Sequence, residues 1–127
     1  MFVYDTYEAG TTYGAETFEV TPELVAQWHR IYGGRPADDA SAPAGIVILA
    51  QQRAYKNIIA PRPPGHMIGS QQIAVHGRVP VGARITTEVS CLSKEIRKER
   101  KWARMGFTGK VGDKAVYTSV THVLCPM

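Results

Sequence analysis

Two adjacent carboxylates, Asp38 and Asp39, stand in the loop GGRPADDASAP, immediately ahead of the longest apolar helix signal in the chain. A carboxylate so placed can act as a general base towards a bound substrate or water. It can equally satisfy the free N–H groups and the positive dipole at the start of a helix. The histidines that could join it are scattered. His29 falls beside the apolar stripe of an amphipathic helix, where solvation or capping accounts for it. His76 alternates away from the core. His122 shares parity with Val116 and Val120 and is expected to face inward, held by a hydrogen bond. The two cysteines, Cys91 and Cys125, lack the spacing of a metal site or a disulfide framework, so both are expected reduced, buried or at an edge, and without function. With no metal-ligand cluster, Walker-type loop or dinucleotide fingerprint, no metal and no cofactor is implied.

The elements that must position these residues can be read from periodicity. Glu16 to Val20 alternates as a short strand and runs into Thr21-Pro22-Glu23, which supplies an N-cap hydroxyl, a first-turn proline and a first-turn acid. Leu24, Val25, Trp28, Ile31 and Tyr32 then form one apolar stripe, opposite Glu23, Gln27 and Arg30, until Gly33-Gly34 ends the helix. The segment APAGIVILAQQRAYKNII, 42–59, predicts a second helix whose first half is apolar on every side and is therefore expected to be wrapped by protein. A proline-rich stop, 60–65, follows it. Four strand-like segments complete the chain: Gln72 to Val79, then one with Ile85, Thr87, Val89 and Cys91 on a shared face, one with Ala103, Met105 and Phe107, and one with Val116, Val120 and Leu124. The order strand, helix, loop, buried helix, four strands predicts an α+β protein, a single hotdog domain over 1–127 in which an antiparallel sheet wraps one long central helix.

The chain has 127 residues and a formal net charge of +4, enough length for one hydrophobic core and too little for two. The N-terminus lacks an export-length apolar stretch and the central helix is too short to cross a bilayer, so a soluble, cytoplasmic protein without membrane association is expected. The charge is uneven: Lys94, Arg97, Lys98, Arg100, Lys101 and Arg104 crowd into SKEIRKERKWAR with Glu95 and Glu99. A solvated hairpin end between two long strands explains the cluster. Lacking an RNA-binding or helix-turn-helix signature, it suits an anionic, phosphate-bearing pantetheine carrier better than nucleic acid, which is not expected as a partner.

Over nearly its whole length the sequence resembles the MaoC-like dehydratase and (R)-specific enoyl-CoA hydratase family. The resemblance is carried by VTPELVAQWHRIYGG in the place of the family's amphipathic helix, by the central helix, and by VHGRVPVGARITTEV at the strand, Pro-Val turn and glycine that open its third strand. QIAVHGRVPVGARI looks especially like the N-terminal dehydratase-like branch. The resemblance implies an acyl-CoA or acyl carrier protein thioester as ligand, a place in fatty acid metabolism, and enoyl hydratase or 3-hydroxyacyl dehydratase activity in the catalytic members.

Those members carry a loop approximating G-D-x-N-P-[LI]-H and an H-G pair at the start of the central helix. Here Pro36 matches the family proline, but Asp38 stands where the loop histidine is expected, and Gly34 or Arg35 where the aspartate is. The H-G pair is Ala44-Gly45, which retains the glycine whose N–H, by resemblance, lies near the thioester oxygen. Hydration of an enoyl thioester needs a base for water, an acid for the α-carbon and a donor for the enolate oxygen. Asp38 alone, with an ordinary carboxyl pKa of about 3.9, is a weak base at neutral pH. Two readings follow. The missing histidine favours a non-catalytic hotdog subunit that binds acyl thioesters at Ala44 and Gly45 and pairs with a catalytic partner. The alternative is an active hydratase or dehydratase with displaced groups, Asp38 or Asp39 acting with a histidine brought near by the fold, for which His66 in PPGHM is the candidate. A hotdog thioesterase using either aspartate is a weaker third. An exposed sheet edge predicts a dimer, with itself or with a related hotdog chain.

Overall fold

The computed structural model describes residues 1–33 and 41–126. The elements follow in the order β1 (Thr11–Glu19), α1 (Pro22–Tyr32), α2 (Ile46–Ile58), β2 (Met67–Val75), β3 (Arg84–Arg97), β4 (Arg100–Val111) and β5 (Lys114–Leu124). The five strands form one antiparallel sheet in the order β1-β3-β4-β5-β2, with α2 packed across β1, β3 and β4. The expected architecture is present, and β1 and β2 are its two edges.

Helix α1 begins as its sequence dictates. The Thr21 hydroxyl accepts from the Leu24 amide at 3.1 Å, Pro22 opens the first turn, and Gly33, at φ 76°, closes the last by donating its N–H to the His29 carbonyl. His29 in turn directs Nδ1 at the Gly33 carbonyl, so it serves the helix end. The apolar stripe is only partly used: Val25 is buried and Leu24 and Trp28 pack against the core, but Ile31 and Tyr32 are 64% and 70% exposed.

Helix α2 starts later than its apolar run. Ala42 is tied by its amide to the Val79 carbonyl, and Ile46, Val47 and Ile48 donate to Pro43, Ala44 and Gly45, the tight i to i+3 pattern of a first turn without a side-chain cap. Ile46, Val47, Ala50, Gln51 and Ala54 are buried, but the helix is not enclosed on every side, since Ile48 reaches solvent. At the other end Arg62 Nη1 donates to the carbonyls of Tyr55 and Ile59 at 3.2 and 2.7 Å and so caps the helix from the proline-rich stop.

The sheet corrects one expectation of register. The inward faces of β3 and β4 are the expected ones, Ile85, Thr87, Val89 and Cys91, and Ala103, Met105 and Phe107, all buried. On β5, however, Gly109 pairs with Tyr117 and Lys110 with Ala115, leaving Val116 as an extra residue. Such a bulge lets two successive side chains turn inward and reverses the parity of all that follows. Val116 is buried at the bulge, and beyond it Tyr117, Ser119, Thr121 and Val123 face the core. Val120, His122 and Leu124, expected inward, lie on the outer face. The polar residues this brings inside are satisfied. Ser119 donates to Gln51 Oε1, Gln51 Nε2 donates to Thr121 at 3.4 Å, and the Tyr117 and Thr87 hydroxyls pair at 2.7 Å.

The β3–β4 hairpin turns at Lys98 and Glu99, both with positive φ (52° and 65°), the two-residue turn whose twist matches paired strands. The basic cluster is thus a hairpin end, as expected. Cys91 and Cys125 are buried free thiols whose pKa values burial raises.

Candidate functional site

The structure sets Ala44 and Gly45 at the threshold of α2. Gly45 has an ordinary helical backbone (φ −65°, ψ −11°), so conformation does not demand glycine there. Packing does. A Cβ on Gly45 would stand 2.8 Å from the Trp28 ring, so α1 can close on α2 only over a residue without a side chain. None of the described residues accepts a hydrogen bond from the amides of Ala44 or Gly45, which therefore keep the donor capacity and positive dipole of a helix start.

Beside this helix start lies a cavity of about 350 Å³, walled by Ala42, Pro43, Val47, Val75 and Val79 and lined also by His76 and Arg78. The two chain segments that make it meet because Ser41 and Pro80 form an isolated bridge and Ala42 bonds to Val79. His76 follows directly after the edge strand β2. Its amide donates to the Val116 carbonyl at 2.8 Å and its Nε2 meets the Thr118 hydroxyl at 2.8 Å. The sequence reading placed His76 off the core, which holds, but missed that a residue off the core at the end of an edge strand can still rim a cavity. Alternation reports only which sheet face a side chain takes, and the signal is the return of Val79-Pro80 to the segment before α2, a contact distant in sequence.

Asp38 and Asp39 lie outside the described residues. His66 lies at the other end of α2, beyond its C-terminus, and a helix of 13 residues separates the two ends by about 20 Å. There its Nδ1 donates to the Pro63 carbonyl at 3.2 Å and its ring stands edge-on to Tyr7. A second cavity, of about 460 Å³, is bounded by Tyr55, Arg62, His66 and Ile68. Burial is the main cause that pushes the Tyr55 phenol up, and it drives Tyr7 far above the ordinary tyrosine range. Both phenols are O–H donors rather than phenolates at neutral pH. The structure thus joins Ala44, Gly45 and His76, and sets His66 apart from them.

Chemically, the first cavity offers a helix N-terminus at which the amides of Ala44 and Gly45 have no acceptor among the described residues, mostly apolar walls, one imidazole and the side chain of Arg78. That combination suits a carbonyl or anionic oxygen carried on an apolar chain. Among the described residues it holds no cluster of metal-ligating side chains.

No family model matches the sequence, and no curated protein matches it either. Solved structures do match in shape. The MaoC-like dehydratase from Rhodospirillum rubrum superposes with a TM-score of 0.86 over all of both chains at 12% identity. The R-hydratase PhaJ1 from Pseudomonas aeruginosa gives 0.76, over 98% of this chain and 85% of that one, at 17% identity. The C-terminally truncated HadBC complex from Mycobacterium tuberculosis, a 3R-hydroxyacyl-ACP dehydratase, gives 0.72, over 89% and 92%, at 16% identity. At these identities the likeness establishes the hotdog fold.

Proposed function

We propose that this chain binds acyl thioesters, of coenzyme A or of an acyl carrier protein, at the N-terminal end of α2, as one subunit of a hotdog pair. The observation that carries the reading is the apolar cavity into which the helix start is set, with the amides of Ala44 and Gly45 left without a partner among the described residues. A thioester carbonyl oxygen would accept from those amides while the acyl chain lies against Val47 and Val75. The hydratase and dehydratase structures that share this fold support the ligand class, although a fold does not carry activity with it.

The lean is towards a subunit without the acid and base of hydration. The position of the family's helix-start histidine is Ala44, and His66 is at the far end of the helix. A second reading, an active hydratase or dehydratase with displaced groups, is favoured by one observation: His76 rims the same cavity. Titrating the purified chain with octanoyl-CoA, and assaying hydration of crotonyl-CoA alongside, separates the two. Binding without turnover supports the subunit reading. Turnover that survives His66→Gln and disappears in His76→Gln establishes the second, and no binding at all overturns both.

The pairing proposal rests on β2. This edge strand exposes Met67 and Ile68 at 63% and 58%, and Val75 at its other end, beside a row of unpaired backbone groups. A second hotdog edge covers both kinds of surface at once. Sedimentation should give a dimer for the chain alone or with a related hotdog chain, and Ile68→Lys should dissociate it. A monomer in every preparation contradicts the pairing.

A further inference from the structure

On the sheet face turned away from α2, one residue from each of four strands stands in direct register: Ser93 opposite Arg104, Arg104 opposite His122, and His122 opposite Ser70. The rows on either side are built up into walls. Trp102 lies over Gly69, where a Cβ would come within 2.5 Å of the ring, and Leu92 lies over Gly106, where a Cβ would come within 2.9 Å. Two positions without side chains thus seat two large apolar groups beside the polar row, and Ser93, Arg104 and His122 of that row line a cavity of about 250 Å³ together with Trp102 and Glu95. A flat sheet face would have none.

Three of the groups that line this cavity, Ser93, Arg104 and His122, can donate hydrogen bonds. Among the described residues the Arg104 guanidinium makes no ion pair or hydrogen bond, and the His122 side chain bonds only through Nδ1, to the Ser70 hydroxyl at 3.1 Å. In the tautomer that accepts from Ser70 at Nδ1, the imidazole proton sits on Nε2, the nitrogen with no partner among the described residues. The Ser93 hydroxyl is a third donor. Glu95, the carboxylate at the rim, is engaged by Arg97 at 3.5 Å. The hairpin segment that supplies two of the lining strands carries six basic and two acidic side chains, so the surrounding field is positive. Arg97 also lies over the Trp102 ring at 5.5 Å, and with Gly69 beneath its edge the indole is occupied as a wall and is not a platform for a stacked base.

We propose that this outer-face cavity is a binding site for a phosphate group, carried on an organic ligand or free. The guanidinium fork, the imidazole and the hydroxyl come from three different strands, a spread that the tetrahedrally arranged oxygens of a phosphate fit better than the two coplanar oxygens of a carboxylate, and Arg is suited to bidentate recognition of phosphate. The site is on the opposite face of the sheet from α2, so it stands or falls apart from the acyl-thioester reading.

The test is a titration of the whole chain, followed by the amide and indole resonances, with inorganic phosphate, adenosine 3′,5′-bisphosphate, 4′-phosphopantetheine and a hexaglutamate peptide. The expected result is saturable movement of the Trp102 indole and the Gly69, Arg104 and His122 amides while the Trp28 indole stays still. Arg104→Gln should weaken the affinity about tenfold, the usual loss for a charge-assisted hydrogen-bonding group. Arg104→Lys, which keeps the charge and loses the fork, should also weaken it, and Lys98→Gln at the hairpin tip should change it little. Stronger binding of either phosphorylated organic ligand than of inorganic phosphate identifies a carrier as the source, and equal binding identifies the free ion; both sustain the proposal. Absence of saturation into the millimolar range, unchanged affinity in folded Arg104→Gln, or tighter binding of hexaglutamate at the same resonances overturns it.

Discussion

The two ends of α2 are built on opposite principles. At its N-terminus the amides of Ala44 and Gly45 have no acceptor among the described residues, the walls are mostly apolar, and His76 and Arg78 complete the lining. At its C-terminus the carbonyls are already taken by Arg62, whose guanidinium also covers the Tyr55 ring at 4.6 Å, and the histidine is tied to the Pro63 carbonyl. Both histidines are tied, His76 to Thr118 and His66 to Pro63, so the contrast lies in the helix backbone: its C-terminal carbonyls are taken by Arg62, and the amides of Ala44 and Gly45 at its start have no acceptor among the described residues. A histidine is therefore not a site candidate by virtue of lying near a helix end; what matters is whether that end's backbone groups are already satisfied.

The largest expected effect comes from forcing the open end shut. Gly45→Val drives a side chain into Trp28 and should cost about 1–3 kcal/mol of stability, the usual range for overpacking, as well as thioester affinity. Adding Trp28→Leu should recover part of the stability, read from urea midpoints. If affinity returns with it, the glycine serves helix packing; if affinity stays lost, the amides at that position meet the ligand. At the closed end Arg62→Met should remove about 1.5 kcal/mol, as expected for hydrogen bonds from a charged donor, and leave octanoyl-CoA binding unchanged. A loss of affinity in that variant would erase the distinction between the two ends. Thr21→Ala, which removes the α1 cap that helps seat Trp28, should cost about 1 kcal/mol in thermal unfolding.

A smaller effect marks the closed end by pH. Burial first, and then Tyr55 and Cys125, raise the Tyr7 phenol, while Tyr55 itself is raised mainly by burial. A phenol with a folded pKa above its unfolded value of about 10 contributes fully below that pH. Its contribution falls as the unfolded chain ionises while the folded one does not. Stability should therefore decline from about pH 10 upward, and Tyr7→Phe should make the decline shallower in urea titrations. The same protocol with His76→Gln should leave the alkaline limb unaltered, because the open end contributes no buried phenol. Tyr117, raised by burial to about 12, adds to the same decline from the centre of the core.

Legibility in the sequence followed the range of the forces involved. Thr21, Pro22 and Gly33 act on amides within four residues of themselves, so α1 could be bounded from the chain alone. The faces of β3 and β4 were legible because their inward residues alternate strictly and, Thr87 apart, are apolar. On β5 the same rule selected the wrong face, since the buried residues there include Ser119 and Thr121, made acceptable by Gln51 from a helix 68 and 70 residues away in sequence. The bulge at Val116 has no local signature, as it exists only relative to the strand it pairs with. The exposed Ile31, Tyr32, Met67 and Ile68 were likewise invisible to periodicity, which records that a residue is apolar and not what covers it.

For the candidate site the division is similar. The sequence by itself determined that a helix start with Ala44 and Gly45 follows an acidic loop, that two cysteines have no spacing for a metal site or a disulfide framework, and that the positive charge gathers in one hairpin, because composition and short-range periodicity fix these. Only the tertiary structure decided that His76 and not His66 stands beside that helix start, that Trp28 is the reason residue 45 has no side chain, and that His122 joins Arg104 on the outer face. Each of those depends on strand register and on the packing of one element against another, and such contacts are set by which surfaces can be buried together rather than by the order of residues along the chain.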